Sequence, residues 1–245
     1  MQKIKEIAEA DVFDQSLYMP GISLDCVIFG YHERELKILV SKYKNTNLHA
    51  LPGGFIKKDE DADEAALRVL SERTGLDNIF LNQFYTFGEK DRANPEPLKQ
   101  VMQANEVPFD DTHWMLQRFI SIGYYALINY KRAEPKPDYF SESCSWYELD
   151  ELPEMMQDHN LIVEKALETL RRNIDRKFIG TNLLHDQFTM GDIQKLHETI
   201  LGEQLNRTAF HRKMLNSGLL KRVGKKKTGG SHRAPYLYVF HSDDE

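Results

Sequence analysis

Between Arg207 and Arg233 the chain carries nine lysines and arginines and no aspartate or glutamate. Cations gathered on one short stretch suit a polyanionic partner, whereas a merely solvated surface mixes the two signs. The stretch is attached to an acidic body. Residues 177–245 hold 11 basic and 7 acidic residues, a balance of +4; residues 1–176 hold 21 and 31, a balance of −10, so the formal net charge of −6 conceals a dipole. A second group that could do chemistry lies upstream, where Glu60, Arg68, Glu72 and Arg73 follow the glycine-rich connection Leu51-Pro52-Gly53-Gly54-Phe55-Ile56. Glu72 could supply oxygen donors to a hard cation, but Arg73 beside it is a ready counter-ion.

These side chains need a folded scaffold, and the composition allows one. Of 245 residues, 41% are apolar and 29% charged, with 14 Gly and 9 Pro, which excludes disordered, collagen-like and disulfide-stapled classes. A prior of roughly 150 residues per domain gives one or two domains. No apolar run approaches the roughly 18 residues of a membrane span. Met1–Glu9 lacks the apolar core of a secretory signal. Cys26 and Cys144 are too few for a disulfide framework or a four-ligand zinc site, and read as reduced, buried thiols of a cytoplasmic protein.

Strands are expected at 22–31, 36–43, 79–87, 119–129 and 145–149 from their Val, Ile and aromatic content. The spacing of Ala62, Ala65, Ala66, Val69 and Leu70 predicts a helix over 61–74 that ends at Gly75. A longer helical pattern opens at Pro153 and closes near Arg172, with Leu161, Lys165, Leu167 and Leu170 on a mixed face. Residues 89–117 are polar, contain three prolines, and read as a long loop of the functional or partly disordered kind.

In the C-terminal part, Thr189 and Asp192 form an N-terminal cap signature, and Ile193, Leu196, Ile200 and Leu201 continue a helix that Gly202 ends. Asn206 is a good N-cap for a second helix over 207–216, burying Phe210 and Met214. Gly218, a strand over 219–223, a basic tip over 224–233 and a return strand over 236–240 follow. Helix, turn, helix and hairpin is the layout of a winged helix-turn-helix. The second helix would enter the major groove, with Arg207, Thr208, His211, Arg212 and Lys213 as contacts and Arg212 suited to guanine. Lys225, Lys226, Lys227 and Arg233 on the wing suit phosphates or the minor groove. The competing use of such a unit is dimerisation or RNA binding.

Gly54-x5-Glu60-x7-Arg68-Val69-Leu70-Ser71-Glu72-Arg73-Thr74-Gly75-Leu76 resembles the Nudix box, G-x5-E-x7-R-E-U-x-E-E-x-G-U with U bulky and aliphatic. The resemblance implies an α/β fold, the Nudix α/β/α sandwich with a mixed sheet, over 21–173. It also implies a family chemistry in which Mg²⁺, held by helix glutamates at i, i+3 and i+4, assists hydrolysis of nucleoside diphosphate derivatives. Here those positions are Val69, Glu72 and Arg73, so the expectation is a domain with no catalytic residues, no metal and no cofactor. What remains is a cleft for an effector, with Arg92, Glu72, Arg73 and Tyr124 as candidate binding residues; Asp91-Arg92 and the 118–125 strand would line it. Trp114 and Trp146 are assigned to packing.

A degenerate Nudix domain joined to this C-terminal unit resembles the NrtR-type Nudix-related transcriptional regulators, including their sugar-responsive branch. The joining run Phe178-Ile179-Gly180, Asn182-Leu183-Leu184, Phe188-Thr189 and Phe210-His211-Arg212-Lys213-Met214-Leu215 carries that resemblance. It divides the chain into an N-terminal extension (1–20), an effector-sensing domain (21–173), a linker (174–186) and a DNA-binding domain (187–245). It implies a homodimeric regulator, a repressor by expectation, on a palindromic operator of double-stranded DNA. Its allosteric effector would be a pentose sugar or an ADP-ribose-like nucleotide, with no membrane partner. The alternative is an active Mg²⁺-dependent Nudix pyrophosphohydrolase with an accessory tail.

Overall fold

Strand β1 (Tyr18–His32) lies at the centre of the larger sheet. Successive side chains of a strand point to opposite faces, and β1 is apolar on both, so it must be covered twice. Cys26 and Ile28 enter one core, Val27 and Phe29 the other. β1 runs parallel to β6 (Ile120–Ile128), from Ile22 opposite Ile120 to Gly30 opposite Ile128. Its two ends pair antiparallel with β2 (Glu35–Tyr43) and β4 (Gly53–Lys57). β3 (His49–Ala50) and β7 (Ser141–Glu148) pair with β2, and β5 (Leu81–Phe87) pairs with β6, completing a seven-stranded mixed sheet. The computed structural model describes residues 14–77, 79–92, 94–175, 183–226 and 234–241, with the backbone alone at Asp91. Phe178, Ile179, Gly180 and Asn182 of the joining run, most of the N-terminal extension, and Lys227 and Arg233 of the wing lie outside the described residues.

Helix α1 (Ala62–Thr74) covers one face. Asp61 and Glu64 form a capping box at its start, and Gly75 closes it at φ +69°, the left-handed conformation glycine adopts without strain. Ala65, Ala66, Val69 and Leu70 meet Leu24, Ile28 and Tyr124. Helix α3 (His159–Asn173) covers the other face with Ile162, Val163, Ala166 and Leu170. The result is the α/β/α sandwich expected. Some details differ from the sequence reading. α3 begins six residues after Pro153, because the Asn160 side chain turns back to accept from the Met155 amide and donate to the Pro153 carbonyl. Its buried face excludes Leu161, which is 44% exposed. β7 starts at Ser141 rather than 145.

Residues 89–117 are not the loop expected. They contain helix α2 (Glu96–Ala104) and a short 3-10 turn, Trp114–Leu116, which share a third core with Tyr18 and Phe140. Asn105 fastens the end of α2, its side-chain amide donating to the Lys44 and Val101 carbonyls. Trp114 packs against Tyr18, Phe55 and Phe119, in agreement with its structural assignment.

The C-terminal unit has helices α4 (Met190–Leu201) and α5 (Arg207–Asn216) and a sheet ordered β8-β10-β9. β9 (Leu220–Lys225) and β10 (Tyr236–Phe240) form the hairpin; β8 (Phe188–Thr189), a strand absent from the sequence reading, pairs with β10. The Thr189/Asp192 capping box, the Gly202 stop and the Asn206 N-cap all occur as expected. Phe188, Ile193, Phe210, Met214 and Tyr238 make its core. The opposite side of α4 sits on the sandwich: Leu196 and Ile200, with Leu183, join the core of Phe29 and Leu170. Among the described residues, no helix is long and apolar enough to cross a membrane.

Candidate functional site

The glycines of β4 let two backbones meet above α1. A Cβ on Gly53 would come within 2.8 Å of the Leu24 carbonyl, and one on Gly54 within 3.2 Å of the Val69 side chain. A cleft of about 900 Å³ opens beside this contact, a size typical of ligand sites. α1 contributes Arg68, Val69, Glu72 and Arg73 to its wall; the 89–117 insertion contributes Arg92, Leu98, Met115 and Leu116; the loop before β7 contributes residues 136–140.

On the α1 side, Arg68 is fully engaged. Its Nε and Nη2 donate to both oxygens of Glu60 at 3.0 and 2.6 Å, and Nη2 also donates to the Phe55 carbonyl. Burial pushes the Glu60 carboxyl up, but Arg68 outweighs that and holds it below the usual carboxylate range. The Lys57 amide adds a bond to Glu60. Glu72 lies 3.6 Å from Arg68 and 3.8 Å from Arg73. Val69 is buried against β4. A divalent cation does not fit this set: one position offers no lone pair, one is a guanidinium, and both remaining carboxylates already face cations. Among the described residues no three His, Cys, Asp or Glu side chains are grouped to hold a metal.

The floor of the cleft carries a buried charge network. Asp25 of β1 accepts from the Ser121 hydroxyl at 2.6 Å and from Arg92 Nη2 at 3.3 Å. Arg92 Nε donates to Asp158 at 2.6 Å. His159 accepts from the Leu51 amide at Nδ1, which places its proton on Nε2, 3.6 Å from Asp25. The Arg92 side chain is 7% exposed and that of Asp25 10%. Arg92 is thus in the cleft as expected, yet it is held between two aspartates. Asp25, Asp158 and His159 were missed. The signal for Asp25 was available: an aspartate inside the apolar run Leu24-Asp25-Cys26-Val27 needs a buried partner.

Glu72 and Arg73 also face the cleft. Tyr124 does not. It is 1% exposed beneath α1, and its hydroxyl donates to Asp63 at 2.6 Å on the helix's first turn. Tyr125 is equally buried on the opposite face, so alternation sends both tyrosines into cores. Cys26 and Cys144 are buried and unpaired, and burial pushes both thiols up, away from the reactive range.

At the C-terminal unit, Arg207, Thr208 and Arg212 stand exposed on α5, and Lys225 and Lys226 on the wing. His211 is half-buried, with Nε2 enclosed and unpartnered among the described residues. Lys213 is exposed as well, and its ammonium donates at 2.7 Å to Asp175, just past α3. Arg222 was not singled out; it and Lys225 lie over the Tyr236 ring, 4.5 and 5.5 Å from its centroid, extending the cationic surface along β9.

Comparison with known proteins fits both halves. Residues 19–168 match the NUDIX domain family, and residues 180–240 match the NrtR DNA-binding winged helix domain. The chain is 28% identical over 232 residues to the ADPR responsive transcriptional repressor NtrR of Acinetobacter baylyi, covering 92% of this chain and 84% of that one. It is 27% identical to an ADP-ribose pyrophosphatase of Methanocaldococcus jannaschii over 65% of this chain and 81% of that one. Among solved structures, Shewanella oneidensis NrtR superimposes with a TM-score of 0.67 at 27% identity, covering 90% of this chain and 94% of that one. The same protein complexed with a 27mer DNA gives 0.66, covering 90% and 93%. With a sandwich in which two of the three helix metal positions are replaced and a winged helix bearing exposed cations, the chain belongs to the NUDIX family and is an NrtR-type transcription regulator.

Proposed function

We propose that this protein is a cytoplasmic, non-enzymatic repressor that binds a palindromic operator as a homodimer and is released or retuned by an ADP-ribose-like nucleotide in the cleft. The observation that carries the reading is the placement of α3. Its N-cap Asp158 and first residue His159 join the charge network on the cleft floor. Beyond its other end Asp175 meets Lys213 of α5 and lies 3.5 Å from His197 of α4, and Arg171 donates to the Ile200 carbonyl at 3.0 Å. A helix of 15 residues spans about 22 Å, so one rigid element links the cleft floor to the C-terminal unit. A ligand that rearranges Arg92 and Asp158 has a direct route to the attitude of the recognition helix.

The name of the Acinetobacter relative supports ADP-ribose as the effector class. So does the cleft. A cavity of about 900 Å³, lined by Arg73, Lys136 and the rings of Phe55, Phe119 and Tyr139, offers anion partners and flat apolar walls. A pentose has no anionic group and would leave most of that volume unfilled. Dimeric readers place half-sites about one helical turn apart, and misaligning two winged helices loses one half-site. Effector control requires unequal affinity for the two protein states; a coupling of roughly 1–3 kcal/mol is usual.

The test is a titration of the full chain on duplex DNA from its own gene neighbourhood, alone and with ADP-ribose or arabinose. Specific retention shifted about 5- to 150-fold by ADP-ribose and unmoved by arabinose is expected. Absence of duplex binding at low salt, or turnover of ADP-ribose in Mg²⁺ that Glu72→Ala abolishes, overturns the reading.

A further inference from the structure

In the Nudix pattern the helix positions occupied here by Val69, Glu72 and Arg73 are three glutamates, a formal charge of −3 that one Mg²⁺ brings to −1. In this chain the same three positions sum to zero with no ion present. The replacement therefore does more than remove ligands, because it supplies in covalent form about the charge that a metal would add. We propose that Arg73 takes over the electrostatic role of the metal, so that the cleft binds a diphosphate-bearing ligand directly on guanidinium, independent of divalent cations. This rests on the nucleotide reading of the cleft given above.

The two arginines of α1 differ in a way that singles out Arg73. Arg68 is saturated by Glu60 and the Phe55 carbonyl. Arg73 is only 12% exposed, yet its Nη2 merely approaches Glu72 and Asp138, at 3.8 Å each, beyond hydrogen-bond distance. Its Nε is enclosed with no partner among the described residues. A largely enclosed guanidinium with donors to spare is an incomplete site, since enclosed N–H groups ordinarily find acceptors. The planar fork of arginine matches two phosphate oxygens at once. The lip opposite is fixed to the same residue: the Lys136 amide donates to the Arg73 carbonyl at 3.0 Å and the Glu134 amide to the Thr74 carbonyl at 2.8 Å, bringing Lys136 and Asp138 to the cleft edge. A diphosphate seated here would displace the two loosely held carboxylates as partners of Arg73, with Lys136 as a second cation.

Calorimetric titration of the full chain with ADP-ribose, in EDTA and again in millimolar Mg²⁺, tests this. Affinities within about twofold of each other are expected, with Arg73→Gln weakening binding at least about tenfold in both buffers and Arg73→Lys recovering part of it. Arg73→Glu should bind poorly in EDTA and regain affinity in Mg²⁺. Thermal melts of each variant establish that it is folded. Binding by the unaltered chain that needs Mg²⁺, or full affinity in a folded Arg73→Gln, overturns the proposal while leaving the nucleotide effector standing. Conversely, ADP or pyrophosphate binding in EDTA without ADP-ribose binding supports the role of Arg73 and removes that effector. Failure of all three to bind removes both.

Discussion

The cleft and the winged helix both rely on arginine and lysine, but they keep those cations in opposite states. In the cleft Arg92 is buried and Arg68 partly so, and each is tied to carboxylates on other segments. On α5 and β9, Arg207, Arg212 and Lys225 are exposed to water. A buried ion pair is weak evidence of net stability, but it fixes geometry, and breaking it is expensive. An exposed cation contributes little to the fold and is available to any phosphate. The molecule thus combines a rigid, charge-balanced socket for one small ligand with an open cationic surface for a long polymer.

The contrast is tested most severely at Arg92. Arg92→Ala leaves Asp25 and Asp158 buried without their cation, and a loss of about 3–5 kcal/mol is expected in urea denaturation. A loss under about 1 kcal/mol, the scale of a surface pair, would mean that the socket floor tolerates rearrangement. On the other surface, Arg212→Ala should leave stability unchanged, cost about 1–3 kcal/mol in operator binding and relax sequence preference. Specific binding that survives intact would shift the recognition register along α5. Replacing Lys225 and Lys226 with Ala should weaken binding to all duplexes alike and lower the salt slope by about 1 for each lysine that neutralises a phosphate. A selective loss on the operator would instead make the wing a base reader.

The smallest effect expected is a pH slope. His197 is buried in α4, its Nδ1 donating to the Ile193 carbonyl while Nε2 faces Asp175, with Lys213 nearby. Burial pulls its pKa below the ordinary 6.5, a shift that Lys213 reinforces and that the Ile193 bond and Asp175 oppose without cancelling. The unfolded chain then binds the proton more readily than the folded one. The stabilising contribution is complete above pH 6.5 and declines as pH falls from there through the lower folded value. His197→Gln should flatten that part of the stability–pH curve, and an unchanged slope would assign it to another group.

Local chemistry was legible in the sequence; long-range pairing was not. The capping residues Thr189 and Asn206, the stops at Gly75 and Gly202, and the return strand 236–240 lie where short-range spacing puts them, because caps and turns are decided within a few residues. Within the site, Val69, Glu72 and Arg73 were legible because a helix fixes which neighbours share a face. Arg92 stands 67 residues from Asp25 and 66 from Asp158 in sequence, and only the closed sheet brings the three together. Residues 89–117 misled for a related reason: Val101, Met102 and Trp114 are too sparse to announce a core, which becomes complete when Tyr18 and Phe140 arrive from elsewhere. Tyr124 lies on the expected strand but points away from the cleft, because its hydroxyl finds the Asp63 carboxylate on α1, which is no neighbour in sequence.

The tight ring stack of the insertion has an optical consequence. The chain has two tryptophans. Trp114 lies stacked on Tyr18 at 5.6 Å and edge-on to Phe55 at 4.7 Å, and both of those rings form the cleft wall. Trp146 sits on the far strand β7, beside Tyr130 at 5.8 Å and away from the cleft lining. One indole therefore shares a wall with whatever occupies the cavity while the other serves as an internal reference, so the native emission spectrum carries a built-in gauge of occupancy that needs no attached dye.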